Sequence, residues 1–404
     1  MLSWLSPDGK KLLVTRILRT FAYGYLATSL GLYLDRLGLT PTEIGLVFTA
    51  AIAGSALMTV FWSVMADRYG RRRTVATMAL LMTIGGIVFA LTNSFLVLVA
   101  AAFTGTISAT SSEVGVFQTV EQAILPQTAP NEKRTWLFSI YNFIANIAGA
   151  FGSLFAASVS LFAAMGFSGA DAYRPLFVLY ALVGLANFLI FLTLSDRVEL
   201  AKVEGARRFA GVGPSAHRIA GLAALFGLDA FAGGFVSASI VSYWFHLRWG
   251  LGAEQLGPFF FAANVLSGLS LFAASAIARR VGLLNTMVFT HLPSNVLLAL
   301  VPLMPSAAAA VLVYLARISI SQMDVPTRQS YTMAVVEPSE RTAAAGITNV
   351  ARSVATAISP TLAGYALATA ATGLPFFVGG GLKIAYDLAI FTAFRGVRPP
   401  EERR

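Results

Sequence analysis

The sequence predicts an all-α polytopic membrane protein with twelve transmembrane helices. Hydrophobic residues make up 56% of its 404 residues and charged residues only 12%, whereas soluble domains carry about 25% charged residues. The mean hydropathy is +0.72. Twelve apolar stretches, each near the roughly 20 residues that a helix needs to cross a bilayer, are separated by short segments with charge, Pro or Gly. Lipid is therefore the expected solvent of this chain.

The predicted spans follow one another closely from the first to the last. They are 12–34, 43–65, 74–92, 95–125, 135–164, 174–195, 218–247, 253–277, 285–303, 307–335, 343–369 and 372–394. Transmembrane barrel strands would alternate apolar and polar residues, and runs such as 76–90 do not. Lys10 and Lys11 precede the first span, but no small-residue cleavage site follows, so we interpret this span as helix one and not as a removable signal.

The distribution of positive charge predicts the topology. The net charge is +10 with 29 Lys and Arg, and the outer loops of the proposed topology hold only Arg36, Arg174 and Arg248. This asymmetry is the positive-inside pattern, which places both termini in the cytoplasm and the chain in the inner, cytoplasmic membrane. It also argues against nucleic acid as a partner. The absence of cysteine excludes disulfides and thiolate metal sites, and neither a metal nor a cofactor is expected.

An internal repeat divides the sequence into two halves. Phe21-Ala22-x-Gly24 recurs about 210 residues later as Phe231-Ala232-x-Gly234. Further collinear matches pair Ser29, Tyr33, Gly38, Gly45, Gln122, Arg134 and Asn142 with Ser239, Tyr243, Gly250, Gly257, Gln329, Arg341 and Asn349. Duplication explains this collinearity better than chance does.

The repeat also predicts the domain organisation. Six spans, an even number, separate the copies, so both halves enter the membrane in the same orientation, as in transporters with parallel repeats and a substrate site between the halves. We expect an N-terminal six-helix bundle at 1–196, a cytoplasmic linker at 197–217 and a C-terminal six-helix bundle at 218–404. The linker is polar and rich in glycine.

One loop motif indicates a family. Between spans two and three the chain reads S-V-M-A-D-R-Y-G-R-R-R-T, from Ser63 to Thr74. It resembles the G-x-L-A-D-R-x-G-R-R signature of the major facilitator superfamily, with Ser63 and Met65 as departures. The resemblance implies two pseudo-symmetric six-helix bundles that transport solutes by alternating access. The counterpart in the second half is degenerate, with Arg279 at the position of the Asp.

The resemblance implies that this loop acts as a cytoplasmic gate. Glu121, at the end of span four, is expected to accept a hydrogen bond from Arg71 and hold the loop against the bundle. A topological role for the three consecutive arginines is the alternative. The predicted gate residues are Asp67, Arg68, Gly70, Arg71, Glu121, Arg134 and Arg341.

The sequence indicates the branch within the family less clearly than it indicates the family itself. The pattern is closest to twelve-helix bacterial permeases that export small molecules and drugs, but the Gly-Pro signature of span five is reduced to Gly149 and Gly152. The sugar-porter and peptide-porter signatures are missing, so no uptake branch replaces the efflux branch.

Charged side chains inside the predicted spans are the candidate functional residues, because burial of an ionisable group in lipid is costly without a cavity or a partner. Arg19 in span one and Asp229 in span seven are equivalent under the repeat, which allows an ion pair across the cavity, separate partners, or Arg19 reaching the inner surface. Glu113, at mid-membrane beside several serines and threonines, could carry a proton or be tied to a neighbouring helix by hydrogen bonds. The predicted substrate and proton cavity comprises Arg19, Tyr23, Glu113, Asp229, His291, Arg317, Asp324 and Arg352.

Two further groups of charges lie in spans ten and twelve. Arg317, Ser321, Asp324 and Arg328 form one helical stripe that Pro326 interrupts, and this stripe is either a cavity lining or an internal ladder of salt bridges. Lys383 and Asp387 are four residues apart and are expected to form a local ion pair.

Three functions are compatible with this pattern. The leading hypothesis is secondary active transport of a small organic molecule, with proton-coupled export as the favoured form, by a monomer in contact with lipid. The excess of cationic candidates suggests uptake or exchange of an organic anion as the alternative. A membrane sensor that does not transport is a third hypothesis, although the intact loop motif argues against it. No catalytic constellation indicates an enzyme.

Overall fold

The computed structural model describes residues 4–108, 115–130, 134–199, 213–337, 340–369 and 373–397, and this part of the chain is built from helices. Its sixteen α-helical segments are α1 Pro7–Arg36, α2 Pro41–Tyr69, α3 Arg71–Leu91, α4 Phe95–Phe103, α5 Val116–Ile124, α6 Arg134–Phe155, α7 Val159–Ala164, α8 Arg174–Leu192, α9 Ala216–Gly234, α10 Ala238–Trp249, α11 Ala253–Val281, α12 Leu283–Leu300, α13 Ala307–Ser321, α14 Asp324–Val335, α15 Arg341–Ala368 and α16 Leu374–Phe394.

These segments correspond to the twelve predicted spans. Four spans consist of two consecutive segments each, namely α4 with α5, α6 with α7, α9 with α10, and α13 with α14. In span ten the α-helix stops at Ser321 and resumes at Asp324, just before Pro326, as expected of a residue that cannot donate a backbone hydrogen bond. The predicted all-α architecture is confirmed.

The helices are suited to lipid. Eight stretches of the described chain are long and apolar enough to cross a membrane by length and composition alone: Pro41–Trp62, Arg71–Leu91, Ile140–Ala164, Gly169–Leu192, Ala216–Trp249, Leu283–Leu303, Ala307–Thr332 and Leu374–Phe394. Large apolar side chains such as Leu161, Leu182 and Leu312 are exposed on helix surfaces. In water such faces would be unfavourable, whereas lipid chains cover them.

Contacts divide the chain into two compact units. The first unit is Met1–Glu204 with Ala238–Asn264, and the second is Gly205–Ser237 with Val265–Arg404. The boundaries predicted from the sequence, at 196 and 218, remain a prediction, and the contact-based units differ from them by placing Ala238–Asn264 in the first unit.

The glycines of the repeat allow close helix packing inside each unit. In the first unit a Cβ on Gly152 of α6 would lie only 1.9 Å from the carbonyl oxygen of Phe21 in α1. In the second unit a Cβ on Gly234 of α9 would lie 2.7 Å from the Cβ of Ser359 in α15. The repeated Phe-Ala-x-Gly segment thus marks the same packing in both units. Span one packs against span five in the first unit, and span seven packs against span eleven in the second.

The helix α10 packs on α1 within the first unit. Ser239 Oγ donates to the carbonyl of Ala27 at 3.0 Å, and Tyr243 Oη donates to Asp35 at 3.0 Å. Small residues and interhelical hydrogen bonds of this kind replace the hydrophobic effect as the source of helix association in a membrane.

Candidate functional site: buried charge networks

Asp229 is the centre of a charge network in the second unit. Its carboxylate, on α9, lies 2.5 Å from Lys383 Nζ, 2.9 Å from Arg352 Nη1 and 3.1 Å from Arg328 Nη1. Arg328 also donates to Asp324 at 2.8 Å. We call Asp229, Asp324, Arg328, Arg352 and Lys383 the Asp229 network. Four helices, α9, α14, α15 and α16, contribute to it.

Exposure differs strongly among the three cations of this network. The side chain of Arg352 is 28% exposed, whereas those of Arg328 and Lys383 are 10% and 9% exposed. Arg352 uses Nη1 for Asp229 and for a long contact of 3.5 Å with the carbonyl of Phe226. Within the described part of the chain, its Nε and Nη2 make no hydrogen bond, so one edge of the guanidinium is open.

A histidine connects the Asp229 network to a third carboxylate. His291 on α12 places Nδ1 2.8 Å from Asp387 Oδ1 and Nε2 3.9 Å from Asp229 Oδ1. Asn295, one turn along α12, donates to the other oxygen of Asp387 at 2.8 Å. Asp387 is fully buried, so these hydrogen bonds replace the water that it would otherwise bind.

The first unit contains a separate buried ion pair. Arg19 Nη2 on α1 lies 2.7 Å from Glu121 Oε1 on α5, and both side chains are completely buried. Tyr141 donates to the other carboxylate oxygen at 2.7 Å, and the guanidinium carbon of Arg19 lies 4.3 Å from the centre of the Phe117 ring. Asn187 accepts from Arg19 at 3.3 Å. This pair is sealed from solvent and its charges are satisfied.

The observed partners bear on two expectations from the sequence, the alternatives left open for Arg19 and Asp229 and the partner of Glu121. Arg19 and Asp229 have separate partners, Glu121 for the former and the network cations for the latter. The carboxylate of Glu121 is bound by Arg19, whereas Arg71 Nη1 donates to the carbonyl of Ala123 at 3.2 Å.

Lys383 and Asp387 do not form the expected local pair either. Lys383 turns to Asp229 on α9 and Asp387 to His291 on α12. Both partners lie on other helices, because α16 packs against α9 and α12.

The two units hold equivalent ion pairs of opposite sign. The offset that aligns Gln122 with Gln329 also aligns Glu121 with Arg328, just as Arg19 aligns with Asp229. The pair Arg19–Glu121 in the first unit therefore corresponds to Asp229–Arg328 in the second. The position of the pair is shared, and in the second unit Arg352, Lys383 and His291 lie around it.

The loop motif between α2 and α3 is held by Glu199, which lies in the segment that follows span six. Gly70 has a φ of +106°, a conformation suited to glycine, and it ends α2 immediately before α3. The backbone N–H groups of Arg71 and Arg72 donate to Glu199 at 2.6 and 3.1 Å. A carboxylate at this helix N-terminus satisfies orphan donors and complements the helix dipole. Arg72 also donates to the carbonyl of Leu194 at 3.0 Å.

The other predicted site residues lie in different surroundings, and some of them lie outside the described residues. Arg68 is exposed, and Tyr23 is buried with its ring centroid 6.3 Å from that of Tyr180. Arg317 is buried beside the ring of Tyr314, and its Nε has no hydrogen-bond partner among the described residues. Glu113 and the side chains of Asp67, Arg134 and Arg341 lie outside the described residues.

Sequence reasoning missed several members of these networks. Lys383 and Asp387 are predicted to pair with each other, and Asn187 and Tyr141 are not singled out. The repeat offset at Gln122 makes Glu121 equivalent to Arg328, and it is the available sequence signal that these two positions have matching roles. No comparable signal marks Asn187 or Tyr141, whose partners depend on how the helices pack.

Comparisons with known proteins agree with this architecture. A family model described as Major Facilitator Superfamily matches residues 12–360. The uncharacterized membrane protein YJR124C of Saccharomyces cerevisiae is 25% identical over 425 residues, covering 97% of this chain and 95% of that protein. The nucleoside transporter NupG is similar in structure, with a TM-score of 0.77, 12% identity and coverage of 96% of this chain and 99% of NupG.

A second solved structure extends the likeness to a human protein. The organic anion transporter MFSD10 (TETRAN) gives a TM-score of 0.62 at 16% identity, covering 95% of this chain and 99% of that one. At such identities the likeness shows the fold alone. The match to the family model covers most of the chain and agrees with the twelve spans and the loop motif. The chain therefore belongs to the major facilitator superfamily and is a membrane transporter, not an enzyme.

Proposed function

We propose that this chain carries a small organic anion across the membrane by alternating access, and that Arg352 binds its anionic group. The observation that carries this proposal is the open edge of the Arg352 guanidinium, which is 28% exposed and shares a single carboxylate oxygen with Arg328. A planar guanidinium with a free edge suits a carboxylate or phosphate, because both can accept two parallel N–H bonds.

The charge balance of the Asp229 network supports an anionic ligand. Its cations are Arg328, Arg352 and Lys383, and its carboxylates are Asp229 and Asp324. The network thus carries one more positive than negative charge. Such an excess is costly in a membrane interior, and an anion at Arg352 would neutralise it.

The third carboxylate of the region does not remove this excess locally. Asp387 accepts from His291 and Asn295, and within the described residues no hydrogen bond joins it to Arg352.

The difference between the two equivalent ion pairs supports a ligand site in the second unit. The pair Arg19–Glu121 is completely buried and bonded to Tyr141 and Asn187, so it is suited to a structural role. The Asp229 network combines an equivalent pair with Arg352, whose side chain is 28% exposed, and this partly exposed cation supports a ligand there.

The proposal favours anion uptake or exchange over export of drug-like molecules. Lipophilic cations, which are typical drug substrates, would be repelled by the positive network. Proton coupling and the direction of transport are predictions from the sequence, and the flux experiment addresses them together with the substrate.

Flux into proteoliposomes tests the proposal. Labelled succinate and glucose 6-phosphate serve as anionic probes and tetraphenylphosphonium as a cationic probe. We expect anion flux that Arg352→Gln abolishes and that Arg352→Lys retains in part, because lysine keeps the charge but loses the planar fork. Arg280→Gln, at an exposed arginine of the second unit, is the matched control and should transport normally.

Two results would contradict anion transport. One is transport of tetraphenylphosphonium with no flux of either anion. The other is an unchanged anion flux in Arg352→Gln while the protein remains folded.

A further inference from the structure

We propose that Asn349 and Ser353, which lie beside Arg352 on α15, bind hydroxyl groups of the transported anion. The substrate class is therefore a carboxylate or phosphate that carries hydroxyl groups. This inference rests on the proposed function and narrows its ligand. It comes from a helix face on which polar side chains without hydrogen bonds adjoin the Arg352 guanidinium.

The helix α15 has three different faces. One face packs against α9, where Ala355 and Ser359 lie beside Gly227 and Gly234. The second face is exposed and apolar, and its residues are Ile347, Val350, Val354 and Ile358. The third face is polar and consists of Asn349, which is exposed, with Arg352 and Ser353, which are partly exposed.

The polar face and the apolar face point in different directions. An α-helix turns by about 100° per residue, so Asn349 and Arg352 are about 60° apart around the axis, whereas Asn349 and Val354 are about 140° apart. Lipid chains suit the apolar face. The polar face is thus turned toward other surroundings.

The polar groups of this face have unused hydrogen-bonding capacity. Within the described part of the chain, neither the Asn349 amide nor the Ser353 hydroxyl makes a hydrogen bond. The hydroxyls of Thr348 and Thr356, on the same helix, do bond to backbone carbonyls, at 2.7 and 2.9 Å. Asn349 and Ser353 are therefore free to bind a ligand.

The depth of Asn349 in the membrane excludes lipid as the neighbour of its amide. The helix α15 has 28 residues and begins at Arg341, which gives a length of about 42 Å and places Asn349 about 12 Å from the start. The hydrocarbon layer is about 30 Å thick, so a centred helix extends about 6 Å beyond it at each end. An amide without a partner is costly in hydrocarbon, and this face therefore borders water or a polar ligand.

The chemistry of the three side chains defines the ligand. Residues three or four positions apart on a helix have Cβ atoms about 5–6 Å from each other, and this spacing joins Asn349 to both Arg352 and Ser353. The guanidinium suits a carboxylate or phosphate, while an amide and a hydroxyl each donate and accept. A ligand hydroxyl also does both. The face is thus suited to an anion with hydroxyl groups a few bonds from its charge.

The space next to Asn349 is open. Gly346, one turn before it, is exposed, and a Cβ at that position would meet nothing within 4 Å. A ligand held by Arg352 can therefore extend along the polar face past Asn349.

Labelling of introduced cysteines tests the surroundings of this face without a known substrate. The chain has no cysteine, so Asn349→Cys and Val354→Cys each carry a single thiol. An anionic methanethiosulfonate reacts with the thiolate, which forms in water and is suppressed in apolar surroundings. In nanodiscs we expect Asn349→Cys to react at least about tenfold faster than Val354→Cys. Equal rates, or a faster reaction of Val354→Cys, would overturn the inference.

Binding of two matched acids tests the substrate class. Gluconate and hexanoate have the same carbon chain and the same charge, but only gluconate carries hydroxyl groups. By calorimetry, the wild type should bind gluconate more tightly. Asn349→Ala should weaken gluconate binding by about five- to tenfold, the usual effect of losing one or two hydrogen bonds, and leave hexanoate binding unchanged. Asn349→Gln, which keeps an amide, should retain part of the preference, and Val354→Ala should retain all of it.

The outcomes separate this inference from the proposed function. If gluconate binds no more tightly than hexanoate, or if folded Asn349→Ala weakens both acids equally, the substrate class is refuted and anion transport stands. The same holds if the wild type binds succinate but not gluconate. If the wild type binds none of succinate, glucose 6-phosphate and gluconate, anion transport is refuted as well.

Discussion

The buried pair of Arg19 and Glu121 gives the sharpest stability prediction. The two charges are 2.7 Å apart and completely buried. At an effective dielectric constant of about 20, unit charges at that distance attract by about 6 kcal/mol. Desolvation offsets much of this attraction in the intact pair, but Glu121→Gln leaves Arg19 buried without an anionic partner. We expect a loss of about 3–5 kcal/mol.

Thermal unfolding in detergent measures this loss. For a unit of about 150–250 residues, 1 kcal/mol corresponds to roughly 2–4 °C in Tm, so Glu121→Gln should lower Tm by about 6–20 °C. Lys10→Gln, at an exposed position of the same helix α1, should change Tm little. The exchange of Arg19→Glu with Glu121→Arg should recover part of the loss, because the second unit holds the equivalent pair with its signs reversed.

A double-mutant cycle gives the decisive comparison. Coupling between the two positions should appear as a clear recovery of Tm in the variant that exchanges Arg19 and Glu121. Additive losses, or a Glu121→Gln variant as stable as Lys10→Gln, would refute the assignment of a buried, mutually dependent ion pair.

Two further predictions concern the second unit and the helix packing of the first. Hydrogen bonds from the Ser215 hydroxyl and from nearby backbone N–H groups lower the pKa of Glu340 from its ordinary value of 4.5. Its stabilising effect is thus complete above pH 4.5 and is lost as the pH falls through the lowered pKa. The Tm difference between wild type and Glu340→Gln should shrink on acidification, and a constant difference from pH 7 to 3.5 would contradict this. Gly152→Ala places a Cβ against the carbonyl of Phe21 and should cost about 1–3 kcal/mol by overpacking. Gly381→Ala, with nothing within 4 Å, is the control, and equal Tm values for the two variants would refute the close packing.

The fold was predictable because the bilayer imposes a simple pattern on the sequence. Apolar stretches of about 20 residues specify spans, and the repeated Phe-Ala-x-Gly segment at Phe21 and Phe231 specifies two related halves. The structure explains that repeat by the close approach of Gly152 to Phe21 in one unit and of Gly234 to Ser359 in the other. Features that depend on local sequence, such as the interruption before Pro326, were likewise predictable.

The partners of the buried charges were not predictable in the same way. Lys383 and Asp387 are spaced for a pair on one helix face, but both contact other helices. A spacing rule describes an isolated helix, whereas in a packed bundle the nearest charge on a neighbouring helix decides the partner. The alignment of Glu121 with Arg328 was present in the sequence, yet it becomes informative only when Arg19 is seen beside Glu121.

Ligand-dependent thermal stability tests the central claim most directly, namely that Arg352 in the Asp229 network binds an anion. A ligand at 100 times its Kd stabilises a protein by about 2.7 kcal/mol. Succinate or glucose 6-phosphate should therefore raise the Tm of the purified wild type by several degrees and leave that of Arg352→Gln unchanged, and tetraphenylphosphonium should stabilise neither. An equal rise in Arg352→Gln, or a rise in the wild type with tetraphenylphosphonium alone, would contradict the claim.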